Sequence, residues 1–326
     1  MTNVDILKER RELWLECLCG EDKHSISNQL YNLSWDLNIY LILNESRRYA
    51  SKTETGELKQ NSMLHNYLDR MFVENSLLKI RRLTDDYKLN SESKTDKKNS
   101  DVYSIISLLN DIINQSELFT RENVFLIENL EYDISKLENI KKQKIENRIL
   151  KGKGFYWDTI ENHPLENKER HKSLDFLFKT NSENRKKSDK YEKVLITEIR
   201  DKIKDKVANV KIFADKLIVH SSTPESRSIK INEVSIQEIV NIYILLANVA
   251  NFIRVYILNE KTIDNLVSPN LHFNIFEYLD EPIVQIENIE NLSKKWNEYQ
   301  DEYISKDIIL NKKYKTIDEY IKNIFI

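Results

Sequence analysis

The chain has 326 residues, 40% hydrophobic and 32% charged, with 16 Tyr, 11 Phe and 4 Trp; it can bury a sizeable core and is neither a disordered tail nor a coiled-coil rod. Gly and Pro number 4 each, too few turn-makers for the strand ends of a sandwich, a barrel or a doubly wound sheet, so an all-α fold is predicted. The formal charge of −3 selects no class of partner, but Lys141 to Lys216 carries 21 basic against 13 acidic side chains, either a solvated helix face or a surface for a polyanion.

Apolar spacing predicts helices near residues 4–19, 26–50, 57–84, 101–118, 121–149, 169–180, 186–220, 235–259, 284–304 and 316–325. Val102, Ile105, Ile106, Leu109, Ile112 and Ile113 fall on one buried stripe. Leu195, Ile199, Ile203, Val207, Val210, Phe213 and Leu217 form another that runs to His220, where Ser221, Ser222, Thr223 and Pro224 stop the helix. Ser235 with Glu238, and Thr316 with Glu319, have the spacing of capping boxes. Residues 90–100 and 180–188 read as polar linkers. The organisation expected is an N-terminal helix over 1–29, a helical domain over 30–258 and a C-terminal helical extension over 259–326.

Cys17 and Cys19 supply neither a disulfide framework nor a four-thiolate zinc site, which points to a reducing compartment. Charges in the first residues take the place of a secretory apolar region, and Ile242 to Leu258, interrupted by Asn248, Asn251 and Arg254, reads as a core helix rather than a membrane span. A cytoplasmic protein without membrane contact is expected. No P-loop, dinucleotide fingerprint or nucleophile elbow occurs, and no metal or cofactor is expected.

Of the six histidines, His24, His65 and His272 have no titratable constellation around them in sequence, and His163 and His171 lie eight apart across Pro164, a spacing with no regular metal geometry. His220 differs, because it ends the buried seam of a long helix, where the helix dipole favours its protonated form. It is either a hydrogen-bonded cap or a general acid/base with an adjustable pKa.

The segment Phe213-Ala-Asp-Lys-Leu-Ile-Val-His220-Ser-Ser resembles the signature of HEPN-superfamily ribonucleases: an arginine, a polar residue, a few more, then histidine. Upstream, Phe72-Val-Glu-Asn-Ser-Leu-Leu-Lys-Ile-Arg-Arg82-Leu-Thr-Asp85, a polar loop and the helix from Ser104 are similar to the Arg-Leu-Thr-Asp block of the AbiU-type abortive-infection branch. The resemblance covers roughly residues 30–258. It implies a helical HEPN-like core, a homodimer through the His220 helix and metal-independent RNA scission. In that reaction histidine moves a proton during attack of the ribose 2′-hydroxyl, while arginine steadies charge on the phosphate. His220 would be the acid/base and Asp215 its polar companion.

The departure lies at Ala214, where the family carries its arginine. Alanine offers no charge and no donor, and loss of one preorganised donor costs about 10²–10³ in rate. Ala214 is either an engineered replacement or the residue of a naturally silent member. Six helical residues put position 214 about 9 Å and about 120° from His220, so only a long guanidinium curling back would reach it. Lys211 and Lys216 are point charges that replace its bidentate fork poorly. With Arg82 they are the candidate RNA-binding residues. Arg82 and Asp85, three apart, either orient a substrate phosphate or form an ordinary ion pair. Tyr156 and Trp157, beside Lys151 and Lys153, either stack an unpaired base or close a core edge.

Two functions follow as expectations. One is an endoribonuclease of antiviral abortive infection or a toxin–antitoxin pair, inactive in its Ala214 form. The other is a non-catalytic helical scaffold or regulatory subunit of a defence complex.

Overall fold

The computed structural model describes residues 2–56 except 53, 61–89 except 88, 102–136 with a few positions to 146, 163–219, 234–260, and some positions between 288 and 301. Among them 74% are helical and none forms a strand, as an all-α fold requires. The chain divides into two compact units, Met1–Asn270 and Leu271–Ile326.

In the first unit, α1 (Asn3–Cys19) starts on a capping box between Thr2 and Asp5 and buries Leu7, Trp14 and Leu18. Trp14 Nε1 donates to Asp111 Oδ2 at 2.7 Å and so fixes α1 to α4 (Ile105–Asn114). Ser104 caps α4, whose Ile105, Ile106, Leu108, Leu109 and Ile112 are all fully buried. A ten-residue helix apolar on nearly every side has to be the centre of the core, each such side chain contributing about 1.5–3 kcal/mol. On it pack α7 (Lys193–Phe213) and α8 (Ile236–Phe252), and on α8 in turn pack α2 (Ile26–Tyr49) and α3 (Ser62–Leu83). Ser235 accepts from the Glu238 amide and opens α8 as its capping spacing predicts. The short α5 (Arg121–Ile127) packs on α1, and α6 (His163–Leu177) meets the chain just beyond α8.

Both α7 and α8 end in π-helical turns, Ala214–Val219 and Ile253–Ile257. With its π turn, α8 runs 22 residues, long and apolar enough to cross a membrane: its most apolar 18 have a mean hydropathy of 1.5, and 44% of those 18 are buried. Its apolar faces pack on α2, α3 and α7.

Three predicted helices come out differently. The one expected over 101–118 is confined to Ile105–Asn114. The one expected over 121–149 is broken after Ile127, because Asn129 turns left-handed at φ 55° and the Leu130 amide closes onto Phe125 O at 2.9 Å, and the described positions from 134 to 146 are helical again. The one expected over 186–220 starts at Lys193, because the preceding residues are held against α5: Thr120 bridges Lys190, and the Arg121 amide donates to Asp189 O at 2.8 Å. The linker at 180–188 is anchored too, since Arg185 grips Asp175 with Nη2–Oδ2 at 2.6 Å. The stretch 90–100, the pair Tyr156 and Trp157, and the helix over 316–325 lie outside the described residues. In the second unit the described positions between 288 and 301 are helical and exposed, with ion pairs Lys294–Glu290 and Lys295–Glu298.

Candidate functional site

The last turn of α3 and the π turn after α7 meet through charge. Arg81 donates from Nε to Asp215 Oδ1, and its Nη1 lies 3.7 Å from Asp85 Oδ2. Asp85 follows the Thr84 cap of α3, so the helix end delivers Arg81 and its i+4 carboxylate to one side. Lys211, on the last turn of α7, donates to Thr84 O at 2.9 Å and reaches Asp85 at 4.0 Å. Two cations and two carboxylates therefore share one half-buried cluster. The hydrogen bond it donates to Asp215 holds the Arg81 guanidinium above its ordinary pKa. Burial pushes the Asp85 carboxyl up, against the pull of Arg81 and Lys211.

The π turn fixes what sits where. A π turn carries an extra residue per turn and re-aims the side chains after it. Here it buries Ala214 completely in the core and swings Asp215 outward to Arg81. Lys216 is half-buried, and His220 lies outside the described residues, one position beyond the turn. Of the site residues read from sequence, Asp215 and Lys211 come together on the end of α3, and Ala214, between them in the chain, is buried.

Arg82 faces elsewhere. It lines a cavity of about 390 Å³ together with Asp22, His24, Gln29, Val102 and Tyr103. Its neighbour Arg81, and not Arg82, pairs with Asp85. Arg81 is the residue that sequence reading passed over; the four-residue spacing to Asp85 was the available signal.

A second polar network lies under α5 and α6. Arg170, 1% exposed, pairs with both oxygens of Glu128 at 2.7 and 2.9 Å and donates to Tyr256 O at 3.0 Å. Burial pushes the Glu128 carboxyl up despite this partner. Arg121, fully buried, bonds Asp175 at 2.9 Å and approaches His171 Nδ1 at 3.3 Å. His171 Nε2 faces Tyr132 O at 3.0 Å. A carbonyl only accepts, so Nε2 carries the proton and Nδ1 accepts from Arg121. Burial holds the imidazole below its usual range. These side chains tie α5, α6 and the end of α8 together and make His171 a structural group. Among the described residues no three His, Cys, Asp or Glu side chains converge as a metal-binding group.

The sequence matches no family model, and no curated protein and no solved structure matches it.

Proposed function

We propose that this chain is a metal-independent endoribonuclease of bacterial antiviral defence, present in a form disabled at position 214. The observation that carries the reading is the bond between Arg81 and Asp215. The two segments that resemble HEPN ribonucleases, 72–85 and 213–222, lie far apart in the chain, yet this bond joins residues 134 positions apart and sets one segment on the other. The two helices pack in one bundle, and the contact at their ends is what two parts of one site would require.

In this reading His220 moves the proton of the attacking 2′-hydroxyl, and an arginine at position 214, absent from this chain, would steady the phosphate. Asp215, held by Arg81, fixes the turn that carries position 214. The chain works in the cytoplasm, as a dimer through the helix that ends at His220, under the control of an antitoxin or another defence subunit. The cluster contributes positive charge from Arg81 and Lys211, but carboxylates neutralise both, and neither replaces a free guanidinium.

One observation favours the second reading, a non-catalytic scaffold. The methyl group of Ala214 is fully enclosed in the core, as an alanine native to that place would be. Ala214→Arg separates the two. The nuclease reading expects the variant to cut RNA without added metal and to arrest growth on expression, both lost again in the Ala214→Arg/His220→Ala double variant. Ala214→Leu, matched in bulk without charge, should cut nothing. A folded Ala214→Arg protein that leaves a broad RNA panel intact refutes the nuclease.

A further inference from the structure

The cavity beside Arg82 has the makings of a nucleotide site. Its walls come from three places: Asp22 and His24 in the turn between α1 and α2 with Gln29 in α2, Arg82 at the end of α3, and Val102 and Tyr103 before α4. At about 390 Å³ it lies at the small end of ligand pockets, on the scale of one nucleotide, and exposed Asp22, His24 and Arg82 leave it open to solvent.

The chemistry of the walls is divided. Among the described residues neither the exposed Arg82 guanidinium nor the exposed His24 ring makes a hydrogen bond, whereas the half-buried cations nearby are committed. Arg81 is held by Asp215, Lys211 by Thr84 and Lys79 by Asp36. Arg82 is thus an exposed donor fork open to a phosphate. Asp22 balances it with a carboxylate that would accept from a base amino group. Its Oδ1 takes the His24 amide at 2.6 Å, which keeps the turn and the carboxylate in place. Among the described residues Tyr103 is the one aromatic residue in the lining. Its hydroxyl donates to Glu16 at 3.2 Å and its carbonyl accepts from Gln29 at 3.1 Å, so the residue is pinned on two sides.

Position adds to chemistry. Ser104, next to Tyr103, donates from Oγ to Asp85 O at 2.5 Å, and Arg82 adjoins Arg81. The cavity wall is therefore bonded on two segments to the cluster that holds Asp215. Whatever fills the cavity meets wall residues next in sequence to Arg81 and to Ser104, which touch that cluster.

We propose that this cavity binds one unpaired nucleotide of an RNA strand, its base stacked on Tyr103 and its phosphate on Arg82. The proposal rests on the ribonuclease reading for the strand it names. Stacking on an aromatic side chain tolerates any base and gives the site affinity without sequence choice.

The test uses the chain as it stands, which keeps RNA uncut during the measurement. Fluorescence anisotropy with end-labelled 12-nucleotide oligo(U) and oligo(A) should show Tyr103→Leu weakening binding about fivefold or more, with Tyr103→Phe close to the parent. Arg82→Gln should weaken both oligomers alike and lower the dependence of log Kd on log salt by about one. Arg82 is exposed, so that variant folds irrespective of what Tyr103→Leu does to the core edge. Binding within twofold of the parent in both Arg82→Gln and Tyr103→Leu overturns the site, as does a parent chain that binds neither oligomer. Tight binding of free uridine or adenosine 5′-monophosphate that displaces the oligomers also overturns it, since the cavity then serves a free nucleotide. If oligomers bind through Arg82 and Tyr103 while Ala214→Arg cuts nothing, the nuclease reading falls and the RNA site stands. If Ala214→Arg cuts RNA and the cavity variants bind as the parent does, the reverse holds.

Discussion

Arg81 and Asp215 hold each other across two helix ends, and both are partly solvated, with 26% and 39% of their side chains exposed. A pair this open is worth about 1 kcal/mol or less. Arg81→Gln should lower stability by about that much in urea titration, while the near-ultraviolet spectrum of the core stays unchanged. His171 gives a sharper expectation. Its native pKa lies below the unfolded value near 6.5, so the unfolded chain takes up a proton first as the solution is acidified. The stability it contributes is complete above about pH 6.5 and is lost as pH falls toward the native pKa. Protonation would also point a second N–H at Arg121, 3.3 Å away. Melting temperature should drop between pH 7.5 and 5.5, and the slope should flatten in His171→Gln. At this scale the sequence was least legible. Arg81 and Arg82 are adjacent, and only the facing of the last α3 turn tells which one meets Asp85 and which one opens to the cavity. His171 likewise looked idle, because its partners Arg121 and Tyr132 are some forty to fifty positions away.

Helices carry more readable signals, and their limits carry fewer. The stripes of α4 and α7 and the cap of α8 follow from apolar spacing and one serine. What spacing could not show is that a buried ion pair ties α6 to the end of α5 and the exit of α8. Arg170 and Glu128 are 1% and 5% exposed, and Arg170 also bonds two carbonyls of the π turn after α8. Removing one partner strands a buried charge, so Arg170→Ala or Glu128→Ala should each cost about 3–5 kcal/mol. Replacing both by Arg170→Met and Glu128→Gln should cost clearly less than the two alanine variants together, and a denaturant double-mutant cycle measures the difference. The π turns were likewise hidden. An extra residue in a turn leaves the apolar period almost intact, yet it decides that Ala214 is enclosed and Asp215 is free to pair.

For the whole molecule, the small number of glycines and prolines was enough to name the fold class, because sheets need punctuation that this chain lacks. It was not enough to set connection geometry. A basic surplus over 141–216 suggested a polyanion surface, but in the described part of that stretch Arg170 and Arg185 point inward to Glu128 and Asp175. Counting charges along a chain does not separate those that face water from those that bolt helices together.

Economy with glycine has left its mark at the helix exits. Asn129, Lys179 and Asn259 all take the left-handed conformation at φ between 52° and 56°, each where a helix has just ended. Asparagine tolerates that backbone; lysine, with a full Cβ, is strained there by about 1 kcal/mol. Lys179 forgoes little by leaving, since its bond to Glu192 is exposed at both ends. Lys179→Gly should therefore raise the melting temperature by a few degrees, an improvement available from a residue that no core, cavity or charge cluster uses.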